Sequence, residues 1–393
     1  MSARPLLMTP GPVEISPRVQ AALAESPRSH AERAFVEDLQ AVLRGTRALF
    51  GAAVDAQPMV VPGNGTTAMD MAVSNLIQAG DRVVVVDTGV FSERWALMLA
   101  RRGAEVCTVY SQMGRVPPLE HVADELVEPA KALFITHVDT STGVRAPVRE
   151  LARLGRDAGA LVVVDGVCSV GALPFEHEAW GVDVAITASQ KGLSLPPGLG
   201  LLVASPAALA AHSALSQAPA FFLDWSEWLA VHRAYEAGDV QYFATPPTSL
   251  VHGLRVALDE LFGDDPRAGL EARWALQARA GRALRAAWAA LGLRAVVLDQ
   301  ADVADTLSAL YFPEGVDQRL FAEVLAREVL VAAPLHPLLR GRSFRVGHLG
   351  HVLTRPDALE KAVRAIAEGL QACGAPADAD SACRAFAAAW GDA

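Results

Sequence analysis

Short apolar runs rich in β-branched residues alternate with amphipathic stretches through the first half of the chain, and this alternation constrains the fold most. The apolar runs predict strands at residues 83–87, 105–110, 132–138, 161–167, 182–189 and 199–204. The intervening stretches predict helices at residues 66–78, 91–102, 118–126 and 148–155. Strands that are apolar throughout and alternate with helices are typical of a parallel sheet covered on both faces. We therefore predict an α/β fold whose ligands bind beyond the carboxyl ends of the strands.

The rest of the chain predicts an N-terminal arm and a second, smaller unit. A turn-rich start, Pro10–Gly11–Pro12, precedes a helical pattern over residues 17–50 that is interrupted near Pro27. Residues 206–238 are rich in aromatics and are predicted to be irregular. Beyond them we expect helices at 249–262, 266–291, 318–328 and 357–372, and strands at 295–298, 306–312 and 344–346. We predict an arm over residues 1–15, a large domain over 16–262 and a small C-terminal α/β domain over 263–393, with 374–393 as a loose extra helix.

Composition excludes several classes of protein. Hydrophobic residues make up 52% of the 393, but no run reaches the ~18–20 apolar residues that span a bilayer. A net charge of −10 is poorly suited to binding nucleic acid. The four cysteines have no CxxC spacing, so neither a zinc site nor a disulfide framework is expected. The N-terminus lacks the apolar core of a signal peptide. We expect a cytoplasmic protein that binds no membrane, nucleic acid or metal.

Lysine is scarce, and one of the three lysines stands out by its position. Lys131 precedes an apolar strand and Lys361 lies on the polar side of an amphipathic helix, so both are expected to be solvated. Lys191 instead follows an apolar strand and precedes a loop rich in proline and glycine. Its amine is therefore predicted to lie at the carboxyl edge of the sheet. A catalytic amine and an ordinary loop lysine both fit this position.

Asp165 ends the apolar run 161–165, where a buried carboxylate is costly unless it has a polar or cationic partner. It could cap a helix, bind a metal or a ribose, or pair with a buried cation. A pyridinium nitrogen is such a cation, and a carboxylate beside it keeps the ring protonated as an electron sink. No histidine or second acid at ligand spacing supports a metal.

A third candidate site is the start of the helix predicted at residues 66–78. Gly63, Asn64, Gly65, Thr66 and Thr67 combine glycines with hydroxyl residues at this helix start. Exposed backbone N–H groups there would bind an anion such as a phosphate, although a capped helix start fits equally. The segment lacks the third glycine of a dinucleotide fingerprint and the lysine of a P-loop. A cofactor with one phosphate fits better than NAD or ATP.

An amine, a carboxylate and an anion site together meet the needs of a single cofactor, and the surrounding motifs resemble a known family. The segments at residues 187–193, 164–169 and 136–143 resemble the class V aminotransferases of fold type I, especially the alanine–glyoxylate and serine–pyruvate or serine–glyoxylate transaminases. The resemblance runs from about residue 6 to residue 350. It implies a large domain with a mostly parallel seven-stranded sheet, a smaller C-terminal α/β domain, and pyridoxal 5′-phosphate as cofactor.

By this resemblance, Lys191 bonds the cofactor's aldehyde and moves a proton between the substrate's α-carbon and C4′ of the cofactor, and Asp165 pairs with the pyridine nitrogen. Other cofactor contacts would come from Asn64, Gly65, Thr66 and Gln190 at the phosphate, Thr140 near the ring oxygen, and Phe91 and Val167 against the two ring faces. The family often has tryptophan at the position of Phe91. Its Ser-Gly-His phosphate loop is here Asn64–Gly65–Thr66.

The resemblance also implies a substrate site and a partner. Arg345 would bind the substrate's α-carboxylate, which the backbone of Gly11 would approach. Tyr242 and Thr245 resemble the pair that reaches the phosphate from a neighbouring subunit, so a homodimer is expected. His348 and His351 have HxxH spacing without an acid to complete a metal set, and His137 is expected to be a packed, hydrogen-bonded residue.

These expectations favour transamination of a small amino acid, serine or alanine, with glyoxylate or pyruvate as the acceptor. Another donor, 2-aminoethylphosphonate or aspartate, remains open, as does a non-catalytic binding protein of the same fold. The incomplete glycine fingerprint disfavours a nicotinamide-dependent dehydrogenase. A cysteine desulfurase is excluded because residues 320–342 contain no cysteine.

Overall fold

The computed structural model describes residues 4–391. The strands are β1 (Leu6–Leu7), β2 (Gln57–Gly63), β3 (Arg82–Val86), β4 (Glu105–Val109), β5 (Ala132–Thr136), β6 (Leu161–Asp165), β7 (Val184–Ala188), β8 (Gly198–Ala204), β9 (Leu307–Tyr311), β10 (Val329–Leu330) and β11 (Ser343–Gly347). The helices are α1 (Pro17–Leu23), α2 (Arg33–Leu49), α3 (Gly65–Leu76), α4 (Val90–Arg101), α5 (Leu119–Glu125), α6 (Val148–Asp157), α7 (His177–Trp180), α8 (Pro206–Ser213), α9 (Trp225–Glu236), α10 (Thr248–Phe262), α11 (Pro266–Ala290), α12 (Arg319–Leu325), α13 (Pro356–Ala372) and α14 (Ala379–Gly391).

The central sheet has seven strands in the order β2-β8-β7-β6-β5-β3-β4, which confirms the predicted mostly parallel sheet. Strand β8 pairs antiparallel with both β7 and β2, and the other pairings are parallel. The sequence patterns missed β2, which contains Pro58 and Pro62. Proline is tolerated there because β2 is an edge strand. In register, Asp165 at the end of β6 lies between Thr136 of β5 and Ile186 of β7.

Helices cover both faces of the sheet. Helix α2 buries Phe35, Leu39, Val42 and Leu49, whose spacing places them on one helical face, in a core shared with α6 and α10. On the opposite face, α3 buries Met69 against β7 and β8, and α4 buries Trp95 and Leu99 against β3 and β5. No helix within residues 4–391 is long and apolar enough to cross a membrane.

A separate hydrophobic core joins α11, α12, α13 and α14 to β9 and β11. Leu6 and Met8 of the N-terminal arm pack in this core, while Leu270, just beyond the proposed boundary at residue 262, packs in the core of the large sheet. The division of the chain at residues 15 and 262 stays a prediction that these two cores support.

Three local predictions are wrong. Residues 206–238 are mostly helical, because Ser205 and Asp224 cap α8 and α9 and the aromatic Trp225 and Trp228 are buried. Residues 295–298 form no strand and make a single bridge between Ala295 and Leu310. The tail is not loose: α14 buries Ala382, Cys383 and Phe386. Residues 392 and 393 of that predicted helix lie outside the described residues.

Candidate active site

Asp165 lies at the carboxyl end of β6 with only 3% of its surface exposed. Its Oδ1 accepts a hydrogen bond from the backbone N–H of Val167 at 2.9 Å, and its other oxygen bonds no residue in the range 4–391. Burial raises the pKa of the Asp165 carboxyl to about 6, and the Val167 N–H and the charge of Lys191 only partly oppose this rise. The site therefore holds a buried carboxylate with one oxygen available to a cation.

Lys191 follows β7 and is buried beside the N-terminal arm. Its Nζ donates a hydrogen bond to the backbone carbonyl of Pro10 at 2.5 Å. Burial lowers the pKa of the Lys191 amine, because desolvation disfavours the charged form. Gly11 has φ of +137°, and a Cβ there would lie 2.7 Å from Cδ and Cε of Lys191, so the close approach of the arm requires glycine.

Asn64 is the N-cap of α3, and its Oδ1 accepts the backbone N–H groups of Thr66 and Thr67 at 2.9 and 3.2 Å. The cap thus uses two of the donors that the sequence offered to an anion. The backbone N–H of Gly65 has no partner in the part of the chain that the structure describes. A Cβ at Gly65 would lie 2.8 Å from Cγ2 of Val167, so the helix start packs closely against this side chain.

Phe91 is held at the start of α4 by a buried acid. Oδ2 of Asp139 accepts the backbone N–H of Phe91 at 2.9 Å and that of Ser92 at 3.4 Å. Its Oδ1 accepts the backbone N–H and the hydroxyl of Ser141. Burial raises the pKa of the Asp139 carboxyl, and these hydrogen bonds oppose that rise. Asp139 therefore links the segment after β5, which contains Thr140, to the helix that carries Phe91.

These elements surround one cavity of about 270 Å³ at the carboxyl edge of the sheet. Ten of the sequence-predicted residues line it: Gly11, Asn64, Gly65, Thr66, Phe91, Thr140, Asp165, Val167, Gln190 and Lys191. The cavity thus brings the amine, the carboxylate and the start of α3 together from separate parts of the chain.

Arg345 lies on β11 next to this cavity rather than in its lining. Its Nε and Nη2 donate to the carbonyl of Ala333 at 2.9 and 2.7 Å, and its Nη1 donates to the carbonyl of Thr140 at 2.9 Å. Burial lowers the pKa of the Arg345 guanidinium to about 10. The group remains a cation at neutral pH.

Tyr242 and Thr245 do not line the cavity of their own chain. The Tyr242 hydroxyl and Oγ1 of Thr245 are 3.1 Å apart, and 57% of the Tyr242 surface is exposed. The structure therefore does not bring this pair to the other predicted site residues.

The histidines form no metal site, since residues 4–391 contain no group of three or more histidine, cysteine, aspartate or glutamate side chains that could hold an ion. Nε2 of His348 is 3.0 Å from Oγ of Ser308. His137 is packed against Phe175 and Trp180, as expected, but the predicted hydrogen bond is wrong, because its enclosed Nδ1 has no partner in the described part of the chain. Burial lowers the pKa of His137 to about 3, so it is neutral.

The comparison with known proteins decides the family. The model of the family described as "Aminotransferase class-V" matches residues 19–333. The chain belongs to the class V aminotransferases. It is 34% identical over 358 residues to alanine–glyoxylate aminotransferase 1 of Saccharomyces cerevisiae, covering 88% of this chain and 91% of the relative. It is also 34% identical over 353 residues to serine–glyoxylate aminotransferase of Arabidopsis thaliana, covering 88% and 86% of the two chains.

A solved structure agrees in fold over almost the whole length of this class V aminotransferase. The pyridoxamine–pyruvate aminotransferase of Mesorhizobium loti is similar with a TM-score of 0.91 and 25% identity, over 98% of this chain and 97% of the other. Membership of the family makes the protein an enzyme and implies pyridoxal phosphate as its cofactor.

The cavity of this aminotransferase fits that cofactor. Asp165 has a carboxylate oxygen free for a pyridinium, and burial lowers the pKa of the Lys191 amine, which favours the neutral form that bonds an aldehyde. The backbone N–H of Gly65 has no partner in the described residues, so a donor is open to a phosphate at the start of α3. The amine, the carboxylate and this donor match an aldehyde, a pyridinium and a phosphate.

Several residues at this site were not identified from the sequence. The lining also includes Met69, Arg94, Val138, Cys168 and Pro197. Arg94 could have been suspected, because it lies three residues after Phe91 and therefore on the same side of α4. The buried Asp139 directly after an apolar strand gave a signal like that of Asp165. The role of the Pro10 carbonyl had no signal in the sequence.

Proposed function

We propose that this enzyme transfers the amino group of serine or alanine to glyoxylate or pyruvate. The observation that carries the proposal is the single cavity that holds the Lys191 amine, the free Asp165 oxygen and the start of α3. The named activities of the yeast and Arabidopsis relatives, alanine–glyoxylate and serine–glyoxylate transamination, support the choice of substrates.

In this proposal Asn64, Gly65, Thr66 and Gln190 would hold the cofactor's phosphate, and Phe91 and Val167 would lie against its ring. Asp165 would pair with the pyridine nitrogen, and Thr140 would donate to the ring oxygen. Bound pyridoxal phosphate supplies an electron sink for the pair of electrons left when the α-carbon loses its proton.

Lys191 is the proposed base. Burial lowers the pKa of its amine and so favours the neutral form, which is the form that bonds an aldehyde or takes a proton. The Pro10 carbonyl accepts one N–H and fixes the direction of the amine. Nζ of Lys191 would take the α-proton of the amino acid and pass it to C4′ of the cofactor, and in the second half of the reaction it would move a proton in the opposite direction.

Arg345 is the proposed binding group for the α-carboxylate. A guanidinium has five N–H donors, and Arg345 uses three of them on Ala333 and Thr140. Two donors therefore remain for a carboxylate, on a side chain whose direction is already fixed. The backbone at Gly11, which contacts Lys191, lies on the same side of the cavity as the base.

We propose a homodimer in which Tyr242 and Thr245 reach the cofactor phosphate of the partner subunit. The exposure of Tyr242 and its absence from the lining of the cavity of its own chain support this arrangement. The domain limits, the dimer and a cytoplasmic location all stay predictions.

The test is to add single amino acids to the cofactor-loaded enzyme and to follow its visible absorbance. We expect serine or alanine to abolish the absorbance of the enzyme-bound aldehyde, and glyoxylate or pyruvate to restore it. Borohydride should attach the cofactor to Lys191, and the Lys191→Ala variant should bind cofactor weakly and fail to turn over. A response to 2-aminoethylphosphonate or aspartate with none to serine or alanine would refute the substrate assignment.

A further inference from the structure

The phosphate end of the cavity has fewer donors than the sequence suggested. Asn64 occupies the backbone N–H groups of Thr66 and Thr67, which leaves the N–H of Gly65 at the start of α3. A phosphate ester carries about −1.5 to −2 charge at neutral pH and has three strong acceptor oxygens. The capped helix start therefore needs additional donors and a nearby positive charge.

Arg94 has the required charge and position. It lies on α4 and lines the cavity, and its Nη1 donates to Oγ1 of Thr66 at 2.7 Å. Its guanidinium carbon lies 4.6 Å from the centre of the Phe91 ring. The basic side chains of the lining are Arg94 and Lys191, and Lys191 is reserved for the cofactor's aldehyde. Arg94 is therefore the cation that remains for the phosphate.

No described acid forms an ion pair with Arg94, although the charge of Arg94 also lowers the pKa of the Asp165 carboxyl. The neighbouring Glu93 lies close to a different partner, since its Oε1 is 3.4 Å from Nε2 of His336.

The contact between Arg94 and Thr66 also orients the Thr66 hydroxyl. Because Oγ1 of Thr66 accepts from Arg94, the hydroxyl proton of Thr66 is directed elsewhere and can be donated to an anion. The pair thus offers a charge and a directed donor where the backbone donors are already used.

We propose that Arg94 is a cofactor-binding residue that provides the counter-charge for the phosphate of pyridoxal phosphate, directly and through Thr66. The guanidinium of Arg94 stacks on the Phe91 ring, and this contact fixes its position. Phe91, which would contact the cofactor ring, and Arg94, which would balance the phosphate charge, are therefore held together on α4. This inference rests on the proposed placement of the phosphate at residues 64–66.

The test compares two ligands that differ only in the phosphate. Cofactor-free wild-type enzyme and the Arg94→Gln variant are titrated with pyridoxal phosphate and with pyridoxal, and the Kd is taken from the visible absorbance. Loss of a charge-assisted hydrogen bond should weaken pyridoxal phosphate binding by at least about tenfold. Pyridoxal, which lacks the phosphate, should bind wild type and variant within about twofold of each other. Arg94→Lys, which keeps the charge, should recover part of the affinity for pyridoxal phosphate.

Arg101→Gln is the matched control, because Arg101 is an exposed arginine on the same helix and lies outside the cavity lining. This variant should bind both ligands with the affinity of the wild type. Equal losses for both ligands in Arg94→Gln would mean that Arg94 acts through Phe91 or the fold, which refutes the inference. Unchanged affinities would refute it as well. Failure of wild type to bind pyridoxal phosphate would instead refute the proposed function, and this inference with it.

Discussion

Nζ of Lys191 donates a hydrogen bond to the backbone carbonyl of Pro10 at 2.5 Å, across 181 residues of sequence. The N-terminal arm is therefore part of the wall that fixes the direction of the amine. Met8 and Leu6 anchor the same arm in the core formed by α11–α14. The position of the reactive amine thus depends on packing in both halves of the molecule.

Gly11→Ala should impair turnover by displacing Lys191. A Cβ at residue 11 would lie 2.7 Å from two carbons of the Lys191 side chain, so either the lysine or the arm must move. A shift of about 1 Å at a reacting group can cost about a hundredfold in rate, and we expect kcat/KM to fall by at least about tenfold. Gly80→Ala is the control, since Gly80 also has positive φ but a Cβ there meets nothing within 4 Å. If kcat/KM falls by a similar factor in both variants, crowding of Lys191 is not the cause of the fall in Gly11→Ala.

Asp165→Asn should stabilise the cofactor-free protein at neutral pH. Burial raises the pKa of Asp165 from 3.8 to about 6, so between these values the folded chain keeps a proton that the unfolded chain has lost. The free energy of unfolding therefore falls as pH rises through this window, by up to about 3 kcal/mol for this group. Asparagine does not titrate, so above about pH 7 the variant should be the more stable protein.

Urea unfolding of the cofactor-free forms at about pH 4 and about pH 8 measures this difference. The difference in the free energy of unfolding between the variant and the wild type should be larger at the higher pH. If this difference is the same at both pH values, the raised pKa of Asp165 is contradicted. Turnover should be lost in the same variant, because asparagine cannot balance a pyridinium charge.

Arg345→Gln should raise KM for the amino acid by about a hundredfold, since the substrate carboxylate loses its charged partner. The Kd for pyridoxal phosphate should stay within about twofold of wild type. Arg340→Gln, at an exposed position near β11, serves as the control for steady-state kinetics. If KM stays unchanged in Arg345→Gln, another residue binds the carboxylate.

Phe386→Ala should lower the free energy of unfolding by about 3–5 kcal/mol, the usual cost of removing a buried aromatic side chain. Phe386 is buried in α14, at the packed C-terminal end of the chain. Val54→Ala, at an exposed position, should change stability by less than about 0.5 kcal/mol. Denaturant unfolding of both variants measures these effects. A small loss for Phe386→Ala would mean that α14 adds little to the core.

The elements that the sequence predicted well have a simple local pattern. The strands that contain Val83, Leu133 and Val163 are apolar except at one end, because both of their faces are covered. Strand β2 lacks this pattern, since Pro58 and Pro62 interrupt it and only its pairing with β8 makes it a strand. The aromatic residues Trp225 and Trp228 looked irregular in sequence, but burial against α3 and β2 stabilises them in a helix.

The sequence by itself predicted six of the seven strands of the sheet, the position of Asp165 and Lys191 at its carboxyl edge, and the resemblance to the family. Those features depend on local patterning and on the rule that parallel strands end at the same edge. Only the tertiary structure decided that Pro10 holds the Lys191 amine, that Asn64 uses donors expected for the phosphate, and that Arg94 lies against Thr66. These contacts join residues from different elements. Their distances follow from how the helices and the arm pack, which no local pattern encodes.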